Sequence, residues 1–310
     1  MKTGMVNQVV IEGRIYQHNL EVKTVQNQKS ANYGTQYIGG TIDVATDDAG
    51  LNILTVRYGY VVEKTKAGKT NATYTNLKKI IDGGKTVLAN GMDAATKVKL
   101  QPSGALNDFY PKDGDEVISM QTNEGGFVSL VNELHDEKQR NTFTFDTLII
   151  GTNEVEKDDD SYLELRCAIF NFRNEILPYT LIARDPRAIE YFKNLDPSGA
   201  NPVFTKVWGN IDCKTIKSEK VTESAFGDAA VDVVERRVRE WVVTGAIAEP
   251  YEFGVEETIT AEDLKKAMAD RNVKLAEIKK NSDEYWANKG GSDELPFKTP
   301  TTIPEGGFNF

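Results

Sequence analysis

Short blocks of β-branched and aromatic residues recur along this chain, separated by turn residues. VVIEGRIY (Val9–Tyr16) predicts a first strand, and Tyr37–Ala45 and Leu51–Val62 predict two more, with DDAG (47–50) as the hairpin turn between them. TNLKKII (Thr75–Ile81) reads as a short helix capped by Thr75, and Lys97–Gln101 and Glu116–Gln121 as two further strands. The order is three strands, a helix and two strands.

The same order follows again. Thr142–Val155 is a strand, KDDDS (157–161) a turn, and Tyr162–Phe172 and Ile176–Ala183 the next two strands. A helix starts at Asp185-Pro186, with proline in the first helical position, and runs to Leu195. Val203–Ile211 and Trp241–Ala248 complete the set. This is the element order of a five-stranded Greek-key OB barrel, repeated without marked residue identity. The predicted fold is therefore mainly β: OB barrels over 1–132 and 141–253, a C-terminal helix over 260–288 and a tail over 289–310. Thr260 caps the helix with Asp263 at its third position, and apolar residues at 264, 268, 275 and 278 form its inner stripe. The polar, Gly- and Pro-rich tail predicts disorder.

Charge is unevenly spread. The net formal charge is −10. Residues 1–110 hold 13 Lys and Arg against 9 Asp and Glu, whereas 111–160 hold 4 against 13 and 249–310 hold 8 against 13. A cationic first third beside an acidic middle and tail suggests an anion-binding surface. Mean hydropathy is −0.45, and neither a signal segment nor a membrane span is expected. Two cysteines, 46 residues apart, fit neither a disulfide framework nor a zinc motif and point to a reduced cytoplasmic setting.

Several motifs fail on spacing. AGKT (67–70) and GGKT (83–86) hold the Gly-Lys-Thr of a phosphate-binding loop, but the glycine required five positions earlier is Glu63 in one and Lys79 in the other. HDE (135–137) reads as an exposed acidic turn, and DDD (158–160) as a solvated hairpin turn. No nucleophile–base signature is present, so neither an enzyme nor a cofactor or metal is expected.

Interleaved aromatic and basic residues carry more. Arg14 with Tyr16, Tyr33 with Tyr37, and Arg57 with Tyr58 and Tyr60 lie in the first strand set, followed by Lys64, Lys66 and Lys69 on a loop. The second set offers Phe170, Phe172 and Arg173, then Arg184 and Arg187, then Lys206 and Trp208. A cationic track with aromatic faces is what single-stranded nucleic acid requires. Strand alternation puts Tyr58 and Tyr60 on the face of Leu54 and Val56, where they can equally be core, and turns Arg57 the other way.

NQVVIEGRI (7–15), the strand–helix–strand run from ILPYTLIARDPRAIEYFKNL to VFTKVWGNI (176–211), and SDELPF (292–297) resemble the single-stranded DNA-binding proteins of bacteria and phages. That resemblance implies sequence-independent binding of single-stranded DNA in replication, recombination or repair, with no catalysis. It implies a homo-oligomer or cooperative array on DNA and, for a phage protein, residence in the host cytoplasm. It also implies that the tail docks replication or recombination proteins through Asp293, Glu294 and Phe297, or through the terminal Phe310. The alternative is a β-rich structural or assembly protein of a virion.

Overall fold

The computed structural model describes residues 5–112, 114–157, 160–222, 230–255 and 258–289. The strands are β1 (Asn7–His18), β2 (Glu21–Thr24), β3 (Gln36–Ala45), β4 (Ile53–Val62), β5 (Lys97–Phe109), β6 (Ile118–Leu130), β7 (Asn141–Lys157), β8 (Asp160–Phe170), β9 (Ile176–Ala183), β10 (Val203–Thr222) and β11 (Ala230–Ala246). The helices are α1 (Ala72–Gly83), α2 (Val87–Asn90), α3 (Pro186–Asn194) and α4 (Ala261–Lys289).

Strand pairing closes two rings. In the first, β1 pairs with β3, β3 with β4, β4 with β6, β6 with β5, and β5 with β1. In the second, β7 pairs with β8, β8 with β9, β9 with β11, β11 with β10, and β10 with β7. Each ring is antiparallel except where its third strand meets its fifth in parallel, at Val56↔Asn123 and at Val242↔Ile182. This is the OB connectivity, twice. The rings join at their first strands, where β1 and β7 pair from Asn7↔Phe145 to Ile11↔Asn141.

The barrels share a continuous core. Barrel 1 fills its interior with aliphatic residues such as Ile11, Ile15, Ile42, Leu54, Val56 and Leu100, and barrel 2 with an aromatic group. Phe143 and Phe145 stack at 4.9 Å, and Trp241 lies 5.4 Å from Tyr179 and 5.9 Å from Phe145. Tyr179 is buried, and its hydroxyl shares its proton between the Ala105 and Thr122 carbonyls of barrel 1, 3.1 and 3.2 Å away. Burial raises that phenol well above its ordinary pKa. Gln121 and Thr180 bond reciprocally across the same junction. Where strands cross most closely, only glycine fits: a Cβ on Gly13 would lie 2.0 Å from the Ala45 carbonyl oxygen, and one on Gly209 1.9 Å from that of Val242.

Several sequence expectations change in detail. Helix α1 starts earlier than expected and is capped by Asn71, not Thr75, with the Asn71 side chain accepting from the Thr73 amide. An amide acceptor two residues before that threonine is the stronger cap, and Thr75 instead donates its hydroxyl to the Asn71 carbonyl. Strands β5 and β6 run more than twice the predicted length, because the ladder continues through the polar residues Asn107, Asp108 and Ser119. β2 and α2 carry no periodic apolar signal and were not expected. The expected Thr260 cap forms: its hydroxyl accepts from the Asp263 amide, and Asp263 reaches back to the Thr260 amide. On α4 the inner stripe uses Ala267 where Met268 was expected, and Met268 is 39% exposed. Asp158 and Asp159 of the predicted turn, and the tail from 290 on, lie outside the described residues.

The largest departure is in the last two strands. β10 leaves β7 after Asn210, and β11 meets β9 only at Val242 and Val243. From Ile211↔Trp241 to Thr222↔Ala230 they continue as a two-stranded ribbon, about 40 Å long at roughly 3.4 Å per residue.

Candidate functional site

The outer face of barrel 1 across β3 and β4 collects the exposed cations and rings. Arg57 stands on β4 opposite Thr41. It is exposed, 3.4 Å from the Asn107 side-chain oxygen and 3.9 Å from Glu124. Past it, β4 bulges: Ile38 pairs with Val61 but Gly40 with Tyr58, so Gly59 and Tyr60 together oppose Gly39. The extra residue turns Tyr60 outward while Tyr58 stays buried. Tyr60, 47% exposed, meets the Tyr37 ring at 4.7 Å. Alternation alone had placed Tyr60 beside Tyr58; the bulge corrects that.

Beyond β4 the chain folds into a small hairpin. Thr65 and Gly68 donate to the carbonyls of Lys69 and Thr65, and Lys64 bridges to Thr70. Gly68 takes φ +73°, which this tight turn requires. The result presents Lys64, Lys66 and Lys69 to solvent, none of them ion-paired among the described residues. Tyr33 is 55% exposed in the turn before β3. Arg14 and Tyr16 stand apart from this group. Arg14 is tied to Asp48 at 2.9 Å, and Tyr16 is half-buried at the shift in β1 pairing. Arg140 also reaches Asp48, at 2.8 Å. The hydrogen bonds from Arg140 and Arg14 hold that carboxyl below its usual range.

Barrel 2 spends its cations differently. Arg184 makes two 2.9 Å bonds to the Glu240 carboxylate and lies 4.7 Å over the Tyr162 ring. Lys206 sits 3.7 Å from Asp146. Arg173 folds over Phe172, 5.2 Å from the ring centre, on the turn between β8 and β9, where Phe172 is 88% exposed. Trp208 is 40% exposed and covers Gly245; the core tryptophan is Trp241. Arg187 pairs with Asp185, its own helix cap. Phe170 is core.

The predicted residues thus fall into two groups. Tyr37, Arg57, Lys64, Lys66 and Lys69 follow one another along β3, β4 and the hairpin, while Arg173, Arg184, Lys206 and Trp208 are dispersed over barrel 2. Phe127 escaped the sequence reading as a site candidate, and Tyr60, for which that reading left stacking and core packing open, is exposed. Phe127 is 67% exposed, and the Gly125-Gly126 pair before it is the signal of a broken strand alternation.

Asp146, Glu175 and the other described acids do not gather with histidine or cysteine into a metal-sized cluster. Cys167 and Cys213 are free thiols, and burial pushes Cys167 up to about 12. No described helix is long and apolar enough to cross a membrane.

A family model matches residues 6–281, almost the whole described chain. The chain belongs to the YorF family. No curated protein matches it. Among solved structures, the wild-type single-stranded DNA-binding protein from Thermus aquaticus is similar at a TM-score of 0.44 and 12% identity, covering 80% of this chain and 94% of that one. A deletion variant of the same protein gives 0.44 and 12%, covering 82% and 98%. The two-barrel architecture of this YorF protein rests on its own strand connectivity.

Proposed function

We propose that this YorF protein is a non-catalytic, sequence-independent single-stranded DNA-binding protein, acting in replication, recombination or repair. The observation that carries the reading is on barrel 1: the Tyr37–Tyr60 pair with Tyr60 exposed, Arg57 and three lysines without an ion pair among the described residues follow one another along β3, β4 and the hairpin. Stacking on rings and neutralising phosphates are the two interactions that sequence-neutral binding uses. Trp208 and the Phe172–Arg173 pair on barrel 2, and Arg14, Tyr16 and Tyr33 on barrel 1, are further contacts in this proposal. The division into 1–132, 141–253, a helix over 260–288 and a partner-docking tail over 289–310 is part of this proposal; Asp293, Glu294, Phe297 and Phe310 lie outside the described residues.

Fluorescence titration of labelled oligo-dT at several salt concentrations tests it. Binding that weakens with salt by roughly 0.7 in log K per contacted phosphate supports it. Absence of binding at low salt overturns it. The β10–β11 ribbon favours a second reading, a structural assembly protein, because from Lys214 to Thr222 β10 pairs, among the described strands, with β11 alone. Size-exclusion chromatography without DNA separates the two: large assemblies that ignore oligo-dT would select the second.

A further inference from the structure

Arg239 has no place in the surface described so far. It lies on β11 opposite Cys213, two residues from the buried Trp241 and on the same side of the strand. The titratable groups that interact electrostatically with Arg239 are Cys213 and Tyr179 of barrel 2 and Asp43 of barrel 1, which places its side chain at the seam between the barrels. Its Nε is buried with no hydrogen-bond partner, and no described carboxylate comes within ion-pair distance. Burial holds its pKa below the ordinary guanidinium value.

Asp43 is already engaged. It accepts from Gln17 at 2.7 Å and from Thr55 at 2.6 Å. All three belong to the outer face of barrel 1, and Arg57 is two residues beyond Thr55 on the same face. Across the seam, Asn52 of the β3–β4 turn clamps β10, donating to the Ile211 carbonyl and accepting from the Cys213 amide. The seam is therefore fixed by the bonds of the Asn52 side chain to the β10 backbone, with Arg239 beside it on β11 opposite Cys213. A buried donor left unpaired is costly, and an acceptor arriving from outside would satisfy it.

We infer that Arg239 is an anion site in the seam between the barrels, taking a phosphodiester of the bound strand. This rests on the single-stranded DNA reading and adds a path to it: a strand stacked on Tyr37 and Tyr60 runs along β4 past Arg57 and enters the seam. From Tyr60 to Thr55 that path is about 17 Å, at roughly 3.4 Å per residue.

Arg239→Met, which keeps the bulk of the stem, tests this in two measurements, with Arg239→Lys beside it. The first is thermal melting with and without sodium pyrophosphate. The wild-type protein is expected to melt higher with pyrophosphate. Arg239→Met is expected to melt no lower than wild type alone and to lose the pyrophosphate response, with Arg239→Lys keeping part of it. The second is oligo-dT affinity across salt, where Arg239→Met is expected to bind about tenfold more weakly, with a salt slope shallower by about 0.7. If Arg239→Met melts lower and both responses are unchanged, Arg239 is a counter-charge to Asp43 and the inference falls, with the DNA reading intact. If wild type binds no oligo-dT yet pyrophosphate raises its melting point through Arg239, the anion site stands and the DNA reading falls.

Discussion

In barrel 1, Lys64, Lys66 and Lys69 stand clear of any described carboxylate; in barrel 2, Arg184 is held by Glu240 and Lys206 lies near Asp146. The buried aromatic residues differ too. Barrel 1 buries Tyr58 among aliphatic residues and exposes Tyr33, Tyr60 and Phe127, whereas barrel 2 packs Phe143, Phe145, Tyr179 and Trp241 together and exposes Phe172 and Trp208. One strand order therefore carries two uses of the same residue types. Where cations and rings are tied to each other or to the core, they stabilise; where they are left to solvent, they are available to a ligand. Barrel 2 is also the hub. Tyr179 reaches into barrel 1, and α4 bridges from the cluster beside Phe204 and Ile259 to Asp108, where Arg271 makes a nearly buried ion pair at 2.9 Å.

Removing a ring from each barrel should break the comparison most visibly. Trp241→Ala leaves a cavity among three packed rings and should cost about 3–5 kcal/mol in denaturant unfolding. Tyr60→Ala should leave the unfolding midpoint in place and weaken oligo-dT binding by about 1–3 kcal/mol. Equal effects of the two on stability would erase the division of labour.

Asp108→Ala strips Arg271 of its carboxylate in a nearly dry site. The expected loss is on the order of 3 kcal/mol, with α4 loosened from β5, read as faster amide exchange in both elements. Asp115→Ala, which breaks the exposed Lys279–Asp115 pair, should change neither.

Replacing Lys64, Lys66 and Lys69 together by alanine should flatten the oligo-dT salt slope by about 2, near 0.7 per lost contact, at unchanged melting temperature. Arg184→Ala should do the reverse, lowering stability through the loss of its two bonds to the Glu240 carboxylate while the slope holds. A flattened slope from Arg184→Ala and none from the triple variant would move the interface to barrel 2.

The smallest effect expected is in acid. Glu12 is buried at the base of barrel 1. Burial pushes its pKa up, but the His135 amide and ring, with Lys99 behind them, outweigh that and hold it below its ordinary value. A depressed folded pKa contributes stability that is present above the unfolded pKa, near 4.5, and is lost as pH falls through the folded value. Urea midpoints of the wild-type protein should therefore drop more steeply below about pH 4.5 than those of Glu12→Gln. Parallel curves would remove Glu12 from the acid response.

Local sequence determined the strands and their order. The β-branched runs at Tyr37–Ala45 and Ile176–Ala183 and the caps at Asp185 and Thr260 are short-range signals, because they depend on neighbours within one turn or one strand. Alternation likewise turned Arg57 outward and left Tyr58 inward. What lay beyond it needs a second strand. Tyr60 is exposed because β4 carries one residue more than β3 can pair, and a bulge is a property of the pair. The length of the ribbon follows from the mutual pairing of β10 and β11 from Ile211↔Trp241 to Thr222↔Ala230, which neither strand's sequence shows alone. Whether a cation is free or held was also beyond the sequence. Lys66 and Arg184 are both basic residues near aromatic ones, and only the tertiary structure puts Glu240 within 2.9 Å of Arg184 and no described acid beside Lys66. Electrostatic energy depends on distance through space, and distances between strands 56 residues apart are fixed by the closure of the barrel.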